Sequence, residues 1–386
     1  MNNKILSFLL LVAALLFLGS AFMVFNGCAA SNTASVEEGV VATTSTTAPL
    51  APGETSTTTT TTTTAGDGGG GVVITSTTAA EIVVVPTTLP EEVPWIGSPT
   101  DPPTSTVKLC FIHHSVGMNW LHNLDVEPAT AGGLGAALNT NHYYVTETDY
   151  DWFAGAENLG YLTDFGFWTT WFIPSNMAYV YSNNWHNAYD NTIDNPGGEN
   201  EIVMFKSCFP NSNLFGSPTD AAASGASNVI EDQSTGDDAE QSTDYNVANA
   251  KWVYNQILAY CGTRTNKLFV VVTSPPRTAG HYVGSNAANA RAFNNWLVNN
   301  WLDSYPHNNV VVFDFYNILT DPDNHHRYIS GAVQHHTEAD SLNTSYYPTL
   351  AGGGDDHPNS AGGRQATEDF VPLLNYYYHR WKGHVE

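Results

Sequence analysis

Four polar segments of the sequence contain residues that could act together in acyl transfer. They are His113-His114-Ser115, residues 206–213 with two asparagines, Ser274-Pro275-Pro276-Arg277, and Asp355-Asp356-His357. A serine can attack a carbonyl carbon, a histidine can take its proton, and a carboxylate can hold the imidazole in the required tautomer. An asparagine amide and backbone N–H groups can stabilise the resulting oxyanion. Together these residue types predict a serine hydrolase site.

The first three of these segments each follow a short apolar run that is typical of a buried strand. The predicted strands are Val107–Ile112, Ile202–Phe205, residues 268–273 and residues 310–315, with Tyr143–Thr148 as a weaker candidate. Runs that are apolar on both faces indicate a parallel sheet covered by helices. The sequence therefore predicts an α/β fold, a three-layer α/β/α sandwich with a central parallel sheet. In such sheets the site lies at the carboxyl ends of the strands.

Helical patterns lie between and after these strands. Phe293, Trp296, Leu297 and Trp301 form one apolar stripe, and residues 247–261 contain a second. A third helix is predicted over residues 364–381, with a kink at Pro372. The alternation of strands and helices predicts right-handed crossovers.

The order and spacing of these segments over residues 107–381 resemble those of the SGNH/GDSL hydrolases, esterases and lipases with a flavodoxin-like sheet. In that family the nucleophile ends a Gly-Asp-Ser block after the first strand, where this chain has His113-His114-Ser115. The resemblance implies that Ser115 is the nucleophile and His357 the base. The family's acid lies three residues before the histidine, where this chain has Gly354. We prefer Asp355 as the acid over Asp356, because a residue adjacent to the histidine usually points away from its ring.

The resemblance also implies an oxyanion hole built from three donors. These are the backbone N–H of Ser115, the side chain of Asn211 and the backbone N–H of a glycine, for which we prefer Gly166. The family has a glycine two residues before its asparagine, where this chain has Phe209. Asn213 remains an alternative to Asn211, and Gly155 and Gly160 remain alternatives to Gly166. The family's chemistry requires no cofactor and no metal ion.

Other residues with chemical potential are interpreted as structural. One segment is rich in possible metal ligands, but their spacing matches no known metal pattern, so we predict a solvated acidic insertion, with calcium or zinc binding as the alternative. Its residues are Asp321, Asp323, His325, His326, His335, His336, Glu338 and Asp340. Cys208 and Cys261 could form a disulfide in an oxidising compartment. The cluster of Trp152, Trp168, Trp171 and Trp185 either packs in the core or forms an apolar or sugar-stacking platform at the site mouth.

The N-terminus has the pattern of an export signal. Lys4 precedes an apolar run over residues 5–25, and Asn26-Gly27-Cys28 then resembles the end of a bacterial lipoprotein signal, with Cys28 as the lipidated residue. An uncleaved signal anchor and simple secretion remain alternatives, and all three export the protein. We therefore expect the domain on the extracellular face of the cell membrane or in the periplasm.

The composition predicts three parts of the chain. Residues 1–28 are the signal or anchor, residues 29–106 a disordered linker rich in Thr, Gly and Pro, and residues 107–386 the hydrolase domain. On this basis limited proteolysis should leave a core beginning near Thr104. The predicted membrane contact is made through an N-terminal lipid or anchor.

Charge narrows the range of partners. The chain has 37 acidic and 12 basic residues and a formal net charge of −25, which disfavours nucleic acid as a partner. The predicted substrate is a small-molecule or glycan ester: an acetylated glycan, a short acyl ester or a lipid. Two other functions remain open. One is a non-catalytic cell-surface module that binds a carbohydrate or another ligand, and the other is a metal-dependent phosphoesterase that uses the Asp/His segment.

Overall fold

The computed structural model of the protein describes residues 95–125, 129–224, 242–282, 284–349 and 355–385. The predicted signal over residues 1–28, its lipidation site Cys28 and most of the predicted linker lie outside the described residues. Within these ranges no helix combines the length and the apolar character that crossing a bilayer requires.

Strands and helices alternate along the described chain. β1 (Val107–Ile112) is followed by α1 (Ser115–Leu121), α2 (Leu134–Thr140), β2 (Tyr143–Thr148), α3 (Trp168–Trp171) and α4 (Pro174–Ser182). Next come β3 (Ile202–Phe205), α5 (Val247–Gly262), β4 (Leu268–Val272) and α6 (Asn286–Asn299). The last elements are β5 (Val310–Phe313), α7 (Phe315–Ile318), β6 (His325–Ile329), β7 (Ala332–His336) and α8 (Ser360–Trp381).

Five of the strands form one parallel sheet, as the sequence predicts. Their order is β2-β1-β3-β4-β5, and β6 and β7 form a separate antiparallel hairpin. The weaker candidate, β2, pairs with β1 over its whole length. The strand predicted over residues 310–315 ends early at Phe313, because the buried Asp314 carboxylate accepts a hydrogen bond from the Asn317 N–H at 3.1 Å and caps α7.

Helices cover both faces of the sheet. Alternate residues of β1 point to opposite sides, so Leu109 and Phe111 pack in one apolar cluster, which includes residues of α8. Cys110 and Ile112 pack in a second cluster with residues of α5 and α6. The coarse α/β prediction is therefore confirmed, with the strands buried on both sides.

The last helix begins at Ser360, earlier than the predicted residue 364, and runs through Pro372. The Asn359 side chain accepts hydrogen bonds from the N–H groups of Ala361 and Gly362, which caps the helix. A Cβ on Gly363 would lie 2.9 Å from the Cα of Gly132, so the helix packs closely there. This start places His357 just before the helix N-terminus.

Ordered packing extends upstream of the predicted boundary at residue 106. The Trp95 ring stacks on the His379 ring, with the two centroids 4.1 Å apart. The Asp101 carbonyl accepts a hydrogen bond from His379 Nε2 at 2.9 Å. The Thr100 carbonyl accepts another, at 2.8 Å, from the Asn375 side chain. Residues 95–106 therefore contact α8, although the sequence analysis assigned them to the linker.

We accordingly expect limited proteolysis to leave a core that begins upstream of Trp95 rather than near Thr104. Mass spectrometry of the resistant fragment measures its first residue. Trp95→Ala removes the ring stacked on His379 and should move that start towards Thr104. A wild-type core beginning at Thr104 or later, or a resistant fragment that retains the threonine run over residues 57–64, would contradict this expectation.

Candidate active site

The end of β1 and the start of α1 position Ser115. His113 and His114 connect the two elements, and the half-buried Ser115 is the first residue of the helix. The Ser115 hydroxyl lies 2.7 Å from Nε2 of His357, a residue of the segment that precedes α8. Residues that are 242 positions apart in the sequence therefore meet at the carboxyl end of the sheet.

Asp355 completes a hydrogen-bonded chain with these two residues. Its Oδ1 lies 2.6 Å from Nδ1 of His357 and also accepts the His357 backbone N–H at 3.1 Å. Partial burial opposes ionisation of Asp355, but the hydrogen bonds from the His357 side chain and backbone outweigh it and lower the pKa of the carboxyl. An ionised Asp355 places the ring proton on Nδ1 and leaves Nε2 free to accept the Ser115 proton.

Asp356 points away from the imidazole, as the sequence analysis argued. Its carboxylate accepts hydrogen bonds from Arg277 Nε at 3.0 Å and from the Thr278 N–H at 2.7 Å, and it also contacts His281 Nδ1 at 2.8 Å. Burial alone would raise the pKa of Asp356. The hydrogen bonds from Thr278 and the charge of Arg277 have the opposite and larger effect, so the pKa lies below its usual value. Asp356 thus anchors the segment that carries His357 to the loop after β4.

Asn211 lies in a buried turn after β3, and its side-chain amide joins two loops. Its Oδ1 accepts the Phe165 N–H at 2.7 Å, and its Nδ2 donates to an Asp164 carboxylate oxygen. An asparagine amide has two N–H bonds, so one remains for a substrate oxygen. The alternative, Asn213, accepts a hydrogen bond from the Asn286 side chain at 3.1 Å.

The three candidate glycines have different surroundings. Gly166 follows Phe165 in a buried turn, directly beside the residue that Asn211 holds. The Gly160 N–H already donates to the Trp152 carbonyl at 3.0 Å, which argues against an oxyanion role for Gly160. Gly155 has a positive φ of 65° and lies beside the Tyr179 hydroxyl.

Two residues that lie beside Ser115 were not predicted from the sequence to be part of the site. The Tyr150 hydroxyl accepts the Ser115 N–H at 3.4 Å, and its ring stacks on His114 at 4.2 Å. Cys208 Sγ lies 3.7 Å from Ser115 Oγ. Tyr150 follows β2, the strand next to β1, so a firmer assignment of β2 would have drawn attention to it. Cys208 and Cys261 are both free thiols, which corrects the possibility of a disulfide between them.

The two histidines before Ser115 are structural. The fully buried His113 ring pairs with Glu147 at 3.0 Å, and Glu147 also accepts backbone N–H groups of Asn187 and Tyr189. Burial lowers the pKa of His114 to about 3, and its Nε2 lies 2.6 Å from the Gly160 carbonyl. A neutral His114 that donates to this carbonyl supports the loop that carries Tyr150.

The tryptophan cluster is mostly core. Trp152, Trp168 and Trp171 are buried, and Trp152 stacks on Trp171 at 5.4 Å. Trp185 is partly buried against the same cluster. The aromatic side chains exposed in this region are Phe153, Tyr161 and Tyr179 instead.

The Asp/His segment forms the β6–β7 hairpin and the turns beside it. Its histidines contact carboxylates one by one: His335 with Asp314 at 2.6 Å, and His325 with Asp369 at 3.1 Å. His326 Nδ1 accepts the Asp314 N–H at 3.0 Å. Among the described residues, no three His, Cys, Asp or Glu side chains are grouped so that they could hold a metal ion.

His326 should make the protein less stable in mild acid. Burial, with a smaller contribution from the charge of His335, lowers the pKa of His326 to about 3, against roughly 6.5 in an unfolded chain. Between these values the unfolded state binds a proton that the folded state does not. The free energy of unfolding should therefore fall as the pH falls, by at most about 1.4 kcal/mol per pH unit for this residue.

Denaturant titrations of wild type and His326→Gln between about pH 6 and 4.5 would measure this dependence as the difference between the two proteins, which share the same carboxylates. His326→Gln should reduce the slope by the contribution of His326 and leave that of His114, whose pKa burial also lowers to about 3. His335, whose pKa is raised, is largely protonated in both states in this window and adds little slope. His336→Gln, in an exposed position of the same hairpin, is the matched control. An unchanged slope in His326→Gln would show that this histidine is not the acid-sensitive group.

Comparisons of the chain with protein-family models, with characterised proteins and with solved structures gave no match.

Proposed function

We propose that this chain is an exported, surface-tethered serine hydrolase that cleaves a carboxylic ester, a divergent relative of the SGNH/GDSL hydrolases. One observation carries the proposal: Ser115, His357 and Asp355 form a hydrogen-bonded chain with distances of 2.7 and 2.6 Å. The sheet order β2-β1-β3-β4-β5, which is that of flavodoxin-like folds, supports the relationship. The candidate substrates are an acetylated glycan, a short acyl ester or a lipid, and export and tethering rest on the N-terminal sequence.

In this reaction Ser115 Oγ attacks the ester carbonyl carbon while His357 Nε2 takes its proton. Asp355 stabilises the imidazolium that forms and keeps the ring oriented. His357 then gives the proton to the alcohol oxygen as the C–O bond breaks. A water molecule, activated by the same histidine, hydrolyses the acyl-serine and restores the enzyme.

The oxyanion that forms during attack needs hydrogen-bond donors beside Ser115. We assign this role to the Ser115 N–H, to the remaining N–H of Asn211 and to the N–H of Gly166. The Tyr150 hydroxyl, 3.4 Å from the Ser115 nitrogen, is close enough to donate to the same oxygen. Its pKa is raised by burial, so the phenol stays protonated and able to donate.

Removal of these donors should lower kcat and leave KM nearly unchanged, because the oxyanion exists only in the transition state. We expect Asn211→Ala to lower kcat on the order of 10²–10³-fold, and Tyr150→Phe by roughly tenfold or more. Tyr161→Phe is the control for Tyr150, because the two rings pack edge to face with their centroids 5.5 Å apart, while Tyr161 makes no hydrogen bond with Ser115 in the described part of the chain. Steady-state kinetics with a short-chain aryl ester separate kcat from KM. Equal kcat in Tyr150→Phe and Tyr161→Phe would remove Tyr150 from the oxyanion hole.

A fluorophosphonate probe tests the proposed function directly. The Ser115 hydroxyl should attack the probe's phosphorus atom, and intact-mass spectrometry should show one adduct per chain. Ser115→Ala should show none, and Cys208→Ser should label like wild type. Absence of labelling in the wild-type chain, with no hydrolysis of aryl esters, would reject the hydrolase.

The same geometry contains one feature that favours the non-catalytic binding module. Tyr150 already accepts the Ser115 N–H, and Asn211 is held by Asp164 and Phe165. A site in which the Ser115 N–H and one Asn211 N–H are already engaged could bind a ligand without reacting. Unlabelled Ser115 together with measurable glycan binding would support this second function.

A further inference from the structure

A cavity of about 280 Å³ lies at the β5 edge of the sheet, away from Ser115. α6, β5, the β6–β7 hairpin and α8 surround it, and its apolar wall consists of Val298, Leu302, Val311, Val312 and Val333. Arg380, which also lines it, is about 30 Å along α8 from the helix start near His357. The volume is close to the lower limit of small-molecule sites, roughly 300 Å³.

Arg380 lines the cavity, and one of its nitrogens has no acceptor. Arg380 Nε is buried and has no hydrogen-bond partner in the described part of the chain, and the guanidinium lies over the rings of Tyr376 and Tyr377. A buried guanidinium N–H that lacks an acceptor is costly. Cations are few in this protein, since the whole chain has 12 Lys and Arg residues against 37 Asp and Glu residues.

A second donor lies beside Arg380. His326 Nδ1 accepts the Asp314 N–H, so the proton of its neutral ring is on Nε2. Nε2 lies 3.5 Å from the Tyr377 hydroxyl and donates to its oxygen. The Tyr377 proton is thereby left to donate elsewhere, and Tyr377, like Arg380, lines the cavity. The positive charge of His335 on the same wall is already matched by Asp314 at 2.6 Å.

We propose that this cavity binds a small organic monocarboxylate, whose oxygens accept hydrogen bonds from Arg380 and Tyr377 while its apolar body packs against the valines. A carboxylate provides the acceptors that both donors lack and neutralises the guanidinium. The volume admits a body about the size of one aromatic ring or a short branched chain. This site does not depend on Ser115 or on the proposed hydrolysis.

Isothermal titration calorimetry of the full chain with benzoate and with benzamide tests the proposal. The two probes have the same shape, but only benzoate is charged. We expect benzoate to bind at least about tenfold more tightly than benzamide. Arg380→Met, which keeps the length of the side chain, should abolish this preference, and Tyr377→Phe should reduce it several-fold. Equal affinities of the wild type for both probes, or no binding of benzoate at millimolar concentration, would overturn the proposal.

Two further variants show where benzoate binds. Arg264→Met is the matched control, because Arg264 also lies over a tyrosine ring, that of Tyr260, but does not line the cavity. Its benzoate affinity should equal that of wild type. Val333→Trp, on the partly exposed hairpin wall, should fill the cavity and abolish binding even if Arg380→Met fails to fold. Undiminished binding in Val333→Trp would place benzoate elsewhere and overturn the proposal, whatever the outcome of the Ser115 experiments.

Discussion

Ser115→Ala and His357→Ala should each reduce hydrolysis of a short-chain aryl ester to nearly the same residual rate. The expected loss in kcat is on the order of 10⁴–10⁶-fold, because either change removes the covalent route. The two side chains act as one unit through the 2.7 Å hydrogen bond, so the double variant should be hardly slower than either single variant. Steady-state kinetics of the three variants measure this non-additivity.

Cys208 supplies a stringent control for this prediction. Its thiol is 3.7 Å from Ser115 Oγ and is the other nucleophile beside the serine. Cys208→Ala should therefore retain most of the activity, and His336→Ala, in an exposed part of the hairpin, should retain all of it. If Cys208→Ala were inactive while Ser115→Ala kept the wild-type rate, the thiol would be the nucleophile.

Asp355→Asn and Asp356→Asn should have opposite consequences, although the two residues are adjacent. An asparagine at position 355 can donate to His357 Nδ1, which moves the ring proton to Nε2 and removes the base. We expect kcat to fall on the order of 10³–10⁴-fold. Stability should change little, because the Asp355 side chain is 39% exposed. Aryl-ester kinetics and denaturant titrations on the same preparations measure both quantities.

Asp356→Asn should mainly destabilise the fold. The Asp356 side chain is 4% exposed, and the substitution replaces a charged acceptor of the buried Arg277 and of Thr278 by a neutral one, at a cost of about 1.5–3 kcal/mol. Under conditions in which the Asp356→Asn variant is folded, its kcat should stay far above that of Asp355→Asn. The reverse pattern, with Asp356→Asn folded but inactive, would move the acid to Asp356.

Elements with strong local signals could be predicted from the sequence. The strands β1, β3 and β4 are short apolar runs that are buried on both faces, and this pattern is sufficient to predict a parallel sheet. Element ends were predicted less well, because they depend on single contacts. Asp314 ends β5 by capping α7, and close packing at Gly362 and Gly363 lets α8 start at Ser360.

The sequence by itself determined which residue types follow the strands and precede the last helix, and it therefore predicted a serine, an asparagine and an Asp-x-His segment at the carboxyl ends of a parallel sheet. Only the tertiary structure decided how their side chains pair. Asp355 faces the imidazole because Arg277 and Thr278, from a loop almost 80 residues earlier, hold Asp356. Tyr150 reaches Ser115 because β2 lies beside β1, and Arg380 and Tyr377 of α8 line the same cavity as residues of β5. Such pairings depend on distances between elements that are remote in sequence, and no local pattern encodes those distances.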